Sequence, residues 1–253
     1  NSWSNFAFVN LMQIYSKDTI VDKKIKEIAE NLNLKFTTVL PTEPFLYFDE
    51  TGLSFIKNSQ NLNKNIQIDF LKGKLGWRLR RSQHESNLKK ALGKAKTQLS
   101  IFDATAGFLS DSMIFLSLGH KVTAVEQSKV IYCLVKDAIR RASPELEFLK
   151  NLNFSYGDSA KKYFKLQSTP DVIYLDPMYP ILKKNQKKSS YIEAITFILE
   201  KENIKEKDED LINKFLETEY KKIILKRPLK HKKKYSNINY QIKGSTTRFD
   251  IYI

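Results

Sequence analysis

A chain of 253 residues with 42% hydrophobic and 12% aromatic content can bury a sizeable core in one large or two unequal domains, which excludes a disordered polymer. No apolar run approaches the ~20 residues of a membrane span, no signal-peptide pattern opens the sequence, and the lone Cys133 excludes an internal disulfide or a cysteine zinc site. With three scattered histidines no metal site is expected, and a reducing, cytoplasmic setting fits best.

The formal charge of +15 is unevenly spread. Residues 72–96 hold nine Lys/Arg against one acid, Glu85. Residues 221–248 hold ten and no acid, whereas residues 200–219 carry eight acids. A polyanionic partner follows, nucleic acid first. No basic stretch pairs with an amphipathic helical face, which disfavours a membrane surface.

In chain order, residues 1–65 read as a small α/β unit. Apolar Ile25, Ile28, Ala29 and Leu32 are spaced as one helix face. Phe45–Phe48 and Leu53–Ile56 are strands joined by the hairpin signal Asp49-Glu50-Thr51-Gly52. Residues 66–253 form the larger domain. Ile66–Phe70 alternates like a strand, the basic segment Trp77-Arg78-Leu79-Arg80-Arg81 follows, and a helix is predicted over 85–96. Strands are then predicted at 100–103, 121–125, 154–156 and 172–175, with helices over 112–118 and 128–141 between them. Helices over 189–199 and 209–220 precede three last strands at 222–226, 238–242 and 248–252. Alternating strands and helices imply a mostly parallel sheet, and the last two strands add an antiparallel hairpin.

Ligands of such sheets bind beyond the carboxyl ends of the strands. Four of those ends carry suggestive residues. Asp103-Ala104-Thr105-Ala106-Gly107 is a small-residue turn that lets backbone approach a ligand. Glu126, nineteen residues beyond Gly107, suits a ribose diol. Gly157-Asp158-Ser159 could read an adenine edge. The fourth end is Asp176-Pro177-Met178-Tyr179-Pro180, a carboxylate and an aromatic ring on a proline-framed loop. The exocyclic amine of a nucleobase is a poor nucleophile because its lone pair is delocalised. A carboxylate such as Asp176 accepts its hydrogens and localises the pair, while Tyr179 stacks on the base, worth roughly 1–3 kcal/mol. The turn lacks the full Gly-x-Gly-x-x-Gly pattern and nothing suggests hydride transfer. S-adenosylmethionine is therefore preferred to NAD.

The runs Phe102-Asp103-Ala104-Thr105-Ala106-Gly107, Tyr174-Leu175-Asp176-Pro177-Met178-Tyr179-Pro180, Lys226-Arg227-Pro228 and Arg248-Phe249-Asp250-Ile251-Tyr252 resemble the ribosomal small-subunit methyltransferase J family. The similarity covers about residue 66 to the end, more weakly before. It implies a Rossmann-like class I methyltransferase domain. The expected activity is S-adenosylmethionine-dependent methylation of guanine N2 in 16S ribosomal RNA. It carries the family's cofactor contacts onto Ser110, Asp111, Glu126, Gln127, Asp158, Ser159 and Asp176. The family usually has Gly-Leu-Gly-Arg-Asp where this chain has Gly107-Phe108-Leu109-Ser110-Asp111, so the second glycine and the arginine are replaced; Gln127 replaces an arginine. Together these readings make Asp176, Pro177 and Tyr179 catalytic, and add Asp103, Thr105 and Gly107 to the cofactor site. They make Arg78, Arg80, Arg81, Lys183, Lys184, Lys226, Arg227 and Lys232–Lys234 the RNA contacts. Adenine-N6 methylation of DNA or RNA, and a non-catalytic RNA-binding assembly protein, are the rival readings.

Overall fold

A computed structural model describes residues 12–18, 23–62, 65–94, 97–177, 190–204, 208–231, 235 and 237–253. The first elements are β1 (Gln13–Tyr15), α1 (Lys23–Asn31), β2 (Lys35–Thr37), β3 (Phe45–Asp49), β4 (Gly52–Ile56) and β5 (Asn65–Gln67). Next come α2 (Gly73–Arg80), α3 (Ser86–Leu92), β6 (Ser100–Asp103), α4 (Ser112–Ser117), β7 (Lys121–Glu126) and α5 (Lys129–Ala142). The remainder are β8 (Leu152–Tyr156), α6 (Ser159–Tyr163), β9 (Val172–Leu175), α7 (Ser190–Lys201), α8 (Asp208–Leu216), β10 (Ile223–Pro228), β11 (Tyr240–Lys243) and β12 (Thr247–Tyr252). Among the described residues no helix is long and apolar enough to cross a membrane.

Contacts divide the described residues into two compact units. One draws on Asn1–Gly73, Gln127–Glu147 and Gln186–Lys205, the other on Lys74–Glu126, Phe148–Asn185 and Glu206–Ile253.

The first unit holds a five-stranded sheet, ordered β2-β1-β3-β4-β5. The Asp49–Gly52 hairpin forms as its residues dictate: Asp49 Oδ1 accepts from Thr51 N at 2.8 Å and from Thr51 Oγ1 at 2.7 Å. Every residue of β4 is buried because α5 packs across it. Leu53 N donates to Asp137 Oδ2 of α5 at 2.8 Å, and Arg140 and Arg141 neutralise that buried carboxylate. Only glycine fits at position 52. Its φ is +115°, and a Cβ there would lie 2.6 Å from Asp137 Oδ2. Ser128 caps α5, its Oγ accepting from Ile131 N at 3.0 Å.

The second unit holds a seven-stranded sheet, ordered β11-β12-β10-β9-β6-β7-β8. Strands β10, β9, β6, β7 and β8 run parallel, and β12 is antiparallel to both β10 and β11. The order steps outward from β6 through β7 to β8, then restarts on the other side of β6 with β9. The crevice outside β6 and β9 is thus the topological switch point, where ligands of open α/β sheets bind. Phe102, Ile173, Leu175, Ile223 and Leu225 of the sheet and Leu211, Ile212 and Phe215 of α8 share one core.

The large elements match the expectation closely, including the strand at 172–175 and the C-terminal hairpin. Strands β1 and β2 were not anticipated, and the basic segment around Trp77 is helical rather than unassigned.

Candidate active site

All four strand ends singled out in the sequence lie at the carboxyl edge of this seven-stranded sheet. Asp103, 2% exposed at the end of β6, organises the turn behind it. Its Oδ1 accepts from Thr105 N at 3.0 Å and its Oδ2 from Ser112 Oγ at 2.6 Å. Burial, with Asp111 and Asp176 nearby, outweighs these hydrogen bonds and pushes its carboxyl up to about 7. Thr105 Oγ1 in turn accepts from Asp176 N at 2.7 Å, tying the first strand end to the fourth. Beyond Gly107, with φ +49°, the chain takes a second left-handed residue, Leu109 at φ +56°. Leu109 is fully buried. It stands where the resemblance expects glycine, so packing of its side chain holds a conformation that glycine would adopt freely.

Asp111 lies at the centre of a charge network. Lys226 Nζ reaches Asp111 Oδ2 at 2.8 Å and Asp176 Oδ2 at 2.7 Å. Arg78 Nη2 lies 2.6 Å from Asp111 Oδ1, and Tyr174 donates its hydroxyl to Asp111 Oδ2. Burial opposes ionisation of Asp111, but Lys226 and Arg78 overcome it and hold the carboxyl well below the usual range. Asp176 differs. Burial and neighbouring Asp111 raise its pKa against the pull of Lys226. Its side chain is 35% exposed, and Oδ1 accepts no hydrogen bond from another described residue.

Glu126 is buried at the end of β7, where its Oε2 accepts from Gly107 N at 2.8 Å. The same carboxylate expected to meet a ribose therefore also fixes the small-residue turn. Gly157 N bonds to Glu126 O at 2.9 Å, bringing the third strand end alongside. Asp158 caps α6, its Oδ1 accepting from Lys161 N at 2.9 Å, and Ser159 is buried behind it.

This geometry has counterparts among known proteins. A family model described as "Putative SAM-dependent methyltransferase" matches residues 27–253. Ribosomal RNA small subunit methyltransferase J of Neisseria gonorrhoeae strain NCCP11945 is 30% identical, over 93% of this chain and 96% of its own length. The chain belongs to the ribosomal small-subunit methyltransferase J family. The enzyme of that name from Thioalkalivibrio sulfidiphilus is also 30% identical, over 91% of this chain and 93% of its own. The crystal structure of the SAM-dependent methyltransferase NGO1261 from Neisseria gonorrhoeae superposes with a TM-score of 0.73. It has 26% identity and covers 96% of each chain.

Membership in the methyltransferase J family makes the fold a class I methyltransferase and S-adenosylmethionine its cofactor. The donor set at the switch point suits that molecule. Ala104 and Ala106 add only methyl groups to the turn, their N–H groups bonded to Tyr174 O and Val125 O, and Glu126 places a buried carboxylate at the end of β7, a group of the kind a ribose diol requires. Asp111, held ionised by Lys226 and Arg78, and Asp176 lie at the same edge, and a carboxylate there has the sign that suits a cationic sulfonium. Gln127 follows Glu126 directly but is grouped with the other unit.

The expected RNA contacts divide differently. Arg80 and Arg81 are exposed. Arg227 needs correction: it is 1% exposed, its Nη1 lies 3.8 Å from buried Asp250 Oδ2, and its guanidinium stacks 5.1 Å from the Tyr235 ring. Arg78 and Lys226 are likewise turned to the charge network rather than to solvent, because each has a buried carboxylate within reach. Pro177 is buried. Tyr179, Lys183, Lys184, Lys232, Lys233 and Lys234 lie outside the described residues.

Sequence reasoning missed two members of the network. Tyr174 reads as one more apolar strand residue, and its hydroxyl partner lies 63 positions away. Arg78 reads as one cation among several; Glu85, the only acid in its basic stretch, was the available signal, and it binds Arg78 Nε at 2.6 Å.

Proposed function

We propose that this protein methylates the N2 amine of a guanine in 16S ribosomal RNA, in the cytoplasm, on free RNA or the small subunit. The observation that carries the reading is the setting of Asp176. Its backbone N is bonded to Thr105, its Oδ2 to Lys226, and its side chain is 35% exposed at the switch point, with no hydrogen bond to Oδ1 among the described residues. Such a carboxylate can accept one N–H of an exocyclic amine and direct the nitrogen lone pair outward. S-adenosylmethionine, when bound, supplies the electrophilic methyl. Glu126 holds its ribose, the Asp103–Gly107 turn its backbone-facing side, and Asp158 with Ser159 the adenine edge. The new N–C bond would form as the methyl–sulfur bond breaks and its electron pair returns to sulfur; the amine then has one proton to lose, and Asp176, with its raised pKa, is suited to take it. Lys226 keeps the carboxylate oriented. The remaining work is alignment of nucleophile and methyl. Names of the relatives, which specify small-subunit ribosomal RNA, support the substrate class.

Transfer of a labelled methyl to unmodified small-subunit RNA, followed by digestion to nucleosides, tests the reading. Label in N2-methylguanosine is expected. Label in N6-methyladenosine would replace the substrate base, and absence of cofactor binding would favour a non-catalytic assembly protein. Asp176→Ala at saturating cofactor should lower the single-turnover rate far more than RNA affinity. An unchanged rate would remove Asp176 from catalysis.

A further inference from the structure

Helix α2 presents two different faces. Arg78 points inward, pairing with Asp111 and donating to the Ser110 carbonyl at 3.1 Å. This fixes the helix to the loop that follows the cofactor turn. Its neighbour Trp77 points outward with 57% of its surface exposed. Lys74, Arg80 and Arg81 are exposed beside it, at the spacing that shares one helical face. The Arg81 guanidinium lies 5.0 Å from the centre of the Trp77 ring. The local acid, Glu85, is engaged by Arg78, and residues 73–81 supply cations and an indole but no carboxylate of their own.

We propose that Trp77 is a stacking platform for an unpaired base of the RNA substrate, with Lys74, Arg80 and Arg81 holding the phosphates on either side. The proposal rests on the functional reading above and adds a recognition element to it. An exposed aromatic ring ringed by cations is the surface that single-stranded nucleic acid requires, because every base has a π-face and every linkage a negative charge. A packing role would bury the indole, and a simple solvated face has no use for so large an apolar ring. The anchor through Arg78 gives the platform a fixed position relative to the Asp111 loop. A base held there would orient the strand that enters the active site.

The test uses the full chain and a short unstructured RNA together with small-subunit RNA. Trp77→Ala should weaken RNA binding by about 5- to 150-fold, the range for loss of one stacked base. Trp77→Phe should retain most of the affinity. Affinity for S-adenosylhomocysteine should be the same in all three proteins. The slope of log affinity against log salt should be unchanged in Trp77→Ala, since no phosphate contact is lost. In Arg81→Ala it should flatten by about one unit. In a Trp3→Phe background, RNA should quench the remaining indole fluorescence. Parent-like RNA affinity in Trp77→Ala, or an equal loss of cofactor affinity, overturns the platform alone. A parent protein that binds no RNA overturns the functional reading and the platform together.

Discussion

The ammonium of Lys226 lies 2.7 Å from Oδ2 of Asp176 and bridges it to Asp111 at 2.8 Å. Asp111 has a second cation in Arg78 at 2.6 Å, whereas Lys226 is the nearer support for Asp176. Lys226→Met should therefore fall chiefly on Asp176. Loss of one charge-assisted hydrogen bond is worth about 1.5–3 kcal/mol, or roughly a 10- to 150-fold drop in methyl-transfer rate. Removing the cation raises the Asp176 pKa further, so the acid limb of the pH–rate profile should move to higher pH. Single-turnover rates across pH check both, and Lys226→Arg should restore much of the rate. A lower rate with an unmoved profile would mean Lys226 acts only through the fold.

Glu126 accepts from Gly107 N and, in the function proposed above, also from the ribose; substitution can separate the two. Glu126→Ala removes the acceptor for Gly107 N and for the ribose, and should weaken cofactor binding by about 1.5–3 kcal/mol. Glu126→Gln keeps a carbonyl oxygen for Gly107 and should lose less. Calorimetry with S-adenosylhomocysteine measures the difference. Equal affinity in all three proteins would take the ribose contact away from Glu126.

Asp103 should make stability depend on pH. Its folded pKa, about 7, lies above the unfolded value near 4, so the folded state binds the extra proton between these limits. Its contribution is complete below about pH 4 and is lost as pH rises through about 7. Asp103→Asn removes that titration. Denaturant unfolding from pH 4.5 to 8 should show the parent losing stability with rising pH relative to the variant. Parallel curves would show that Asp103 is ionised throughout.

Leu109→Gly sets strain against packing. Relief of a left-handed leucine returns about 1–2 kcal/mol, while loss of a fully buried leucine side chain costs about 2–5. The larger figure decides: the variant should be less stable, by up to about 4 kcal/mol, despite restoring the glycine expected there. Denaturant midpoints decide the sign.

The strand ends were legible because buried β-branched runs stop abruptly at acids and small residues, as Val172–Leu175 stops at Asp176. That pattern locates the edge of a sheet and the chemistry along it. The direction of a side chain was not legible. Lys226 and Arg227 are adjacent cations in one motif. The pleat sends one toward Asp176 and the other into the interior beside Asp250. Nor could sequence foresee that Arg248, a motif residue, donates to the carbonyls of Leu229 at 3.0 Å and His231 at 2.9 Å and so fixes the turn after β10. Such contacts join residues far apart in the chain. Strands of three residues, such as β1 and β2, carry too short a pattern to register.

The hydrogen bond from Leu53 to Asp137 spans 84 residues of chain. At the usual 5–20 residues per second of synthesis, that span takes about 4–17 s to emerge. For that interval the nascent chain carries the completed β4, with Leu53 and Phe55, while the helix that covers it does not yet exist. The hairpin is thus born with an apolar face waiting for its lid. That delay is the time during which a chaperone can shield the strand or a neighbouring chain can pair with it.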